Sequence, residues 1–232
     1  MARRSKRRGK PLVWLFRFSV ALIAGSMAWV IAYRFLEPPG TLTMAFRAKA
    51  GENVQRTWAP LSAVSPHLVR AVIAAEDSRF CAHGGFDREA IEDALEERRN
   101  GERRRGASTI SQQTVKNAFL WNGGGWARKG VEAWFTLLAD KIWGKRRTME
   151  LYLNVAEWGD GLFGAEAAAR ARFGKAAAAL SPREAALLAA VLPNPHKWRV
   201  DPPGPYVRRR AGTIRKRMEV VRRERLDACV LG

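Results

Sequence analysis

The chain is poor in the residues that hold metals. Its 232 residues include three histidines and two cysteines. His67, His83 and His196 lie far apart, and neither CxxC nor HExxH occurs. The common zinc patterns are therefore excluded, and no residue is assigned as a metal ligand. The chain also lacks GxGxxG and P-loop glycine patterns, which excludes the usual nucleotide cradles. No β-alternating run of useful length and no internal repeat is present. The domain is expected to be nearly all helix, with one core spanning about residues 45–230.

Acidic residues are scarce too, at 22 Asp and Glu against 41 Lys and Arg, a formal charge of +19. Such a surplus points first to nucleic acid or an anionic membrane surface. Its distribution decides between them. Residues 1–10, MARRSKRRGK, are strongly basic and contain no acid, and Leu12–Leu36 follows directly, uncharged from Phe18 to Tyr33. With Arg17 and Arg34 snorkelling at its edges, this stretch can span a hydrocarbon layer of roughly 30 Å. It exceeds an ordinary signal h-region, and no clear small-x-small cleavage site follows, so it reads as an uncleaved anchor. The basic run before it places the N-terminus in the cytoplasm and the rest of the chain outside. No nucleic-acid recognition motif is present, and nucleic acid is excluded as a partner. In an oxidising compartment Cys81 and Cys229 have two fates, a disulfide tying a central loop to the C-terminal tail or two separate thiols. Sequence leaves both standing.

The richest stretch is Ser65–Asp87, SPHLVRAVIAAEDSRFCAHGGFD. Ser65 can cap a helix and Pro66 fits its first position. Leu68, Val69, Val72 and Ile73 make an apolar stripe that continues to Glu76 and Phe80. A carboxylate in line with an apolar face is costly to bury unless paired or protonated. Partial desolvation would raise its pKa and fit it for proton transfer. Asp77, His83 and Asp87 follow. A capped helix end whose polar groups bind their own loop is the plain alternative.

The rest of the chain reads in order. Glu37–Gly40 is a stiff exit from the membrane, and residues 41–64 read as an extended connector. Arg88–Arg99 has helical spacing. Residues 98–106, RRNGERRRG, read either as a solvated loop or as a flap on anionic headgroups. Gly106–Leu120, GASTISQQTVKNAFL, is a dense donor set suited to an anionic, oxygen-rich ligand, although a polar helix start has the same composition. From Arg128 a long helix is expected, with a break at Gly144. Arg128, Lys129 and Glu132 share its first turns at spacings that permit an ion pair. Ser181 to Glu184 is a capping box, and Val207 to Arg225 reads as a last amphipathic helix with Ile214, Met218 and Val221 inward.

Together these segments resemble the peptidoglycan glycosyltransferases of glycosyltransferase family 51. The marks are EDSRFCAHG from Glu76 with Asp87, GASTISQQ ending at Gln113, Arg128-Lys129 with Glu132, Lys145 leading to Tyr152-Leu-Asn154, and EAALLA from Glu184 followed by VLPNP ending at Pro195. They cover roughly Trp58–Met218 in the family's order, and the length points to the monofunctional form. The resemblance implies a mostly α, lysozyme-like helical glycosyltransferase domain behind a single N-terminal transmembrane helix. Its organisation would be a basic cytoplasmic tail (1–11), a transmembrane anchor (12–36) and a periplasmic catalytic domain (37–232), in the bacterial inner membrane. It implies polymerisation of lipid II into β-1,4 glycan strands with release of undecaprenyl pyrophosphate. Glu76 takes the part of general base and Glu132 that of the second catalytic glutamate. Ser108, Thr109, Gln112, Gln113, Lys116, Arg128 and Lys129 are the substrate-binding residues, the cations among them stabilising the pyrophosphate. No cofactor is required, with a divalent cation (Mg or Mn) at the pyrophosphate as the one option. The implied partners are lipid II, the growing glycan chain and the membrane, with cell-wall synthesis or division proteins beside them.

One feature departs from the family pattern. Where relatives commonly carry an arginine, Trp121–Trp126 reads WNGGGW. The phosphate contact is then either missing or supplied by Arg103–Arg105. The competing readings are a lytic muramidase-like enzyme, with Glu76 as general acid, and an inactive membrane scaffold for cell-wall synthesis proteins.

Overall fold

The computed structural model describes residues 10–101, 106–121 and 123–232. Most of the basic N-terminal tail, Arg103–Arg105 and Asn122 lie outside the described residues. The first helix, α1 (Lys10–Phe35), is long and apolar enough over Pro11–Phe35 to cross a membrane, and it fits a membrane anchor. From Pro11 to Gly25 it is exposed, whereas Val30 and Tyr33 are buried against the rest of the chain.

Residues 41–64 are not the extended connector expected from their weak periodicity. They contain α2 (Leu42–Lys49), the two-residue strand β1 (Gln55–Arg56) and a single 3-10 turn (Leu61–Ala63). Thr41 caps α2, its Oγ1 accepting from Met44 N at 3.2 Å. Met44 is the only buried residue of α2, so there was no apolar repeat to read. β1 pairs in parallel with β3 (Leu162–Phe163), which pairs antiparallel with β2 (Glu157–Gly159). The turn before β3 passes so close to Asn53 that a side chain at Gly161 would collide with its carbonyl, and Gly161 also has a positive φ of 69°.

Helix α3 (Pro66–Glu76) begins as its sequence predicts, with Ser65 Oγ accepting from His67 N and Pro66 at the first position. It stops at Glu76 rather than running on to Phe80, because Asp77 takes up φ −162°, ψ 78°. Phe80 is nonetheless fully buried by the turns that follow. Helices α8 (Pro182–Val191) and α9 (Pro205–Arg223) pack on α3 and on each other. Alanines at 71, 74, 185, 186, 189 and 190 let the helices approach closely, and Leu68, Val72, Ile73, Leu188, Ile214 and Met218 fill the space between. Each fully buried aliphatic side chain there contributes about 1.5–3 kcal/mol.

A second core joins α1 to α5 (Ile110–Phe119) and α6 (Gly125–Val155). Phe119 stacks between Tyr33 at 5.2 Å and Phe135 at 4.7 Å. The carbonyls at the end of α1 have partners on α6. Trp143 Nε1 donates to Val30 O at 2.8 Å, and Arg147 donates to Tyr33 O at 2.9 Å and Leu36 O at 2.6 Å. Trp134 Nε1 reaches Ser26 Oγ at 3.1 Å. Trp126, Val131, Trp134 and Leu137 leave an apolar face exposed along the first turns of α6. The break expected at Gly144 is present as a φ of 69°, which turns the second half of α6 toward the first core.

Helices α4 (Arg88–Arg99), α7 (Ala165–Phe173) and α10 (Ala228–Leu231) complete the fold. Cys81 and Cys229 are joined by a disulfide, and no cysteine is free. The C-terminal segment is further held by Arg70 to Asp227 at 2.7 Å and Arg146 to Val230 O at 2.6 Å.

Candidate active site

The two cores meet at Glu76, the last residue of α3. Its side chain is 11% exposed and is approached from both sides. From α5, Gln113 Nε2 donates to one carboxylate oxygen at 2.9 Å. From α9, an Arg210 guanidinium nitrogen lies 3.6 Å from the other. Burial pushes the Glu76 carboxyl above its ordinary value, and Asp77 adds to the rise. The Gln113 hydrogen bond, Arg210 and Lys116 pull it back without cancelling it. Tyr152 Oη donates to Gln113 Oε1 at 3.3 Å, which turns the amide NH2 of Gln113 toward Glu76.

Asp77 holds the surroundings together. Its carboxylate accepts from His83 Nε2 at 2.9 Å and from Ile110 N, the first amide of α5, at 3.0 Å. One buried carboxylate thus ties the end of α3, the loop to α4 and the start of α5. Thr109 and Gln112, read as ligand donors, form the capping box of α5, and Thr109 Oγ1 also donates to Gly85 O at 2.6 Å. Both are buried. Ser108 is exposed and lines a cavity of about 310 Å³ beside Glu76, together with Arg79, Asp93, Glu97 and Arg217.

The cationic group lies between α5 and α6. Glu132 is 2% exposed and pairs with Arg128 at 2.5 Å and with Lys129. The expected local ion pair is therefore present, buried at the carboxylate end. Lys116 is lowered from its ordinary pKa by burial. Glu132 and Glu76 oppose that shift, while Arg128 and Lys129 add to it. Lys116 thus stands within the electrostatic field of both Glu76 and Glu132. Lys145 packs over the Phe80 ring at 4.5 Å and lies 3.8 Å from Asp140. Asn154 bonds both backbone groups of Ala59 and serves the fold.

Asp77, His83 and Asp87 place one ligand atom each within 4.8 Å of one another, a juxtaposition the spacing of the histidines does not reveal. These groups already serve one another and the backbone. Asp87 caps α4 through Ala90 N at 3.1 Å and lies 3.5 Å from Arg79. A cation there would displace those contacts.

Residues 43–220 match the family model described as Transglycosylase. The chain belongs to the transglycosylase family. It is 55% identical over 222 residues to a protein of Rhodospirillum centenum named biosynthetic peptidoglycan transglycosylase, covering 94% of this chain and 96% of the relative. A Caulobacter vibrioides protein of the same name is 50% identical, covering 93% of this chain and 94% of its own. One from Pseudomonas aeruginosa is 49% identical, with 88% and 90% covered. In this transglycosylase the sequence reading missed two contributors. Arg210 sits one position before the inward-facing Ala211 and four before Ile214, but nothing local distinguishes it from the other arginines of α9. Tyr152 carried the family pattern without a role.

Proposed function

We propose that the chain is a membrane-anchored peptidoglycan glycosyltransferase that joins lipid II units into β-1,4 glycan strands, with Glu76 as general base. A sugar hydroxyl is a weak nucleophile at neutral pH and needs a proton acceptor. In the reaction, Glu76 removes the proton of the incoming 4-hydroxyl and its oxygen bonds to the donor anomeric carbon with inversion. The bond from that carbon to the pyrophosphate breaks, and the electron pair leaves with the pyrophosphate. A pyrophosphate is stable as an anion, so nearby cations replace the general acid a glycosidase needs.

The observation that carries the reading is a nearly buried carboxylate at the end of α3, hydrogen-bonded by Gln113 of α5 at 2.9 Å, with Lys116 on the same α5 and the Arg128–Lys129–Glu132 ion group on the adjoining α6. Gln113 orients the base, Ser108 faces the substrate cavity, and Thr109 and Gln112 act by fixing the start of α5. Glu132 sets the positions of Arg128 and Lys129. A divalent cation at the pyrophosphate has a poor protein ligand in Glu132, whose two oxygens are engaged by those side chains, so this reading needs no resident metal. Residues 1–11 face the cytoplasm, 12–36 cross the inner membrane, and 37–232 work in the periplasm beside wall-synthesis proteins. The disulfide between Cys81 and Cys229 suits an oxidising compartment.

The test is incubation of the purified full chain with labelled lipid II, followed for polymer, and separately with finished peptidoglycan, followed for soluble fragments. Polymer without digestion is expected. Digestion without polymer would make the protein lytic, and neither would make it a scaffold. A reporter fused at the C-terminus and active only outside the cytoplasm checks the topology.

A further inference from the structure

Helix α9 carries a polar stripe that the reaction above does not use. Tyr206, Arg210, Thr213 and Arg217 recur at i, i+4, i+7 and i+11, so they share one face, with Arg209 beside them. Next to that stripe, Val207, Ala211, Ile214, Met218 and Val221 face the core. Between α9 and the end of α3 the stripe lines a groove of about 300 Å³ with Ile214 as its floor. No carboxylate belongs to its lining. Among the described residues, Arg209 and Arg217 have no acidic partner, and Arg210 meets only Glu76, at 3.6 Å. Arg210 Nε is buried without a hydrogen-bond partner. Three guanidinium groups line this groove, and the one carboxylate paired with them, Glu76, reaches only Arg210, so the excess positive charge is self-repelling. An oxyanion held by their forked N–H donors would remove that repulsion and satisfy the unmet donor.

The groove shares Ala75 and Arg217 with the cavity that contains Glu76. It lies in the α3–α9 layer, while Lys116, Arg128 and Lys129 belong to α5 and α6. Glu76 receives its proton from the incoming sugar, so a ligand anchored on α9 beside it belongs to the incoming molecule. We infer that the α9 arginine groove binds an oxyanion of the incoming lipid II and so positions its hydroxyl at Glu76. This inference rests on the glycosyltransferase reading. The incoming lipid II offers two sources of that chemistry, the carboxylates of its stem peptide and the phosphates of its headgroup.

The experiment uses the full chain in detergent micelles, an Arg209→Ala/Arg217→Ala double variant and a fixed lipid-linked glycan primer. Both side chains are exposed, so the variant is expected to melt with the parent. Three incoming substrates are compared: lipid II with free stem carboxylates, the same molecule with those carboxylates amidated, and a peptide-free lipid-linked disaccharide. Loss of charge-assisted hydrogen bonds should raise the KM of the variant for the incoming unit about 10-fold or more, with kcat unchanged. If the rise is confined to the free-carboxylate substrate, the ligand is the stem peptide. An equal rise on all three gives the same oxyanion chemistry to the headgroup phosphates. An unchanged KM on all three, or a fall in kcat alone, overturns the inference. Failure of the parent to extend the primer with any substrate overturns the glycosyltransferase reading instead.

Discussion

Tyr152 and Gln113 form a relay behind the Glu76 carboxylate. The phenol donates to the amide oxygen at 3.3 Å, so the amide nitrogen is presented to Glu76, 2.9 Å away. The Tyr152 hydroxyl itself stays protonated, because burial first, and then Glu76 and Asp77, push its pKa well above the ordinary value. The orientation of Gln113 is thus set from the second half of α6.

This relay predicts a shift in the pH profile. The Gln113 hydrogen bond favours ionised Glu76, so Gln113→Ala should raise the pKa of the base and move the acid limb of kcat/KM to higher pH. A displacement of about one unit is expected, the size of one charge-assisted hydrogen bond. Tyr152→Phe should move the limb the same way by less. An acid limb unmoved in both variants would detach Gln113 from the base.

Glu76→Gln should abolish polymerisation while leaving a folded protein. It should also stabilise the fold at neutral pH. Burial raises the carboxyl pKa of Glu76 above its unfolded value, so the folded state binds the proton more tightly. The stability this contributes is full below the unfolded pKa and is lost as pH rises through the folded one. At pH 7 ionised Glu76 is therefore a burden that Gln removes. Thermal melts should show a higher Tm for the variant at pH 7, with a gap that narrows as pH falls toward about 4 and is closed below it. A variant less stable at pH 7 would contradict this.

Lys129→Ala should lower turnover about 10²–10³-fold, the usual cost of losing a donor that stabilises developing charge. The fold should hold, because Arg128 still pairs with Glu132. The Arg128→Ala/Lys129→Ala double variant leaves the buried Glu132 carboxylate without those cations and should cost about 3–5 kcal/mol in denaturant titrations. Substituting Glu132 with Gln in that background should restore stability without restoring turnover.

Cys229→Ser opens a cross-link between residues 148 apart in sequence. Removing a closure of that length should cost about 2–5 kcal/mol. A reductant should lower the Tm of the parent and leave that of the variant unchanged.

The parts of the fold written in local chemistry were legible in sequence. Ser65 and Pro66 start α3, Gly144 breaks α6, and Ser181 with Glu184 opens α8, because each signal acts within one turn of chain. The ion pair of Arg128 and Lys129 with Glu132 was legible for the same reason. Elements made by distant pairing were not. β1 exists because Gln55 meets Leu162, and α2 buries only Met44. The contact of Arg210 with Glu76 joins positions on separate helices, and the arginine-rich sequence of α9 does not say which guanidinium turns inward. Thr109 and Gln112 show the converse limit. Their polar groups were evident, but whether they serve a ligand or their own helix depends on how the α5 backbone begins.

The packing of α1 on α6 sets how deep the protein sits. Contacts with α6 begin at Ser26, so only Pro11–Gly25 is left to cross lipid unaccompanied. Fifteen helical residues reach about 22 Å, short of a hydrocarbon layer of about 30 Å. The remaining thickness must surround the domain itself, where Trp126, Val131, Trp134 and Leu137 already turn apolar surface outward. If α1 crosses such a layer, the exposed apolar face on the first turns of α6 is the part of the domain placed to meet it. The anchor and the domain would then share one lipid-facing surface, so that shortening α1 would change how much of α6 is drawn into the layer.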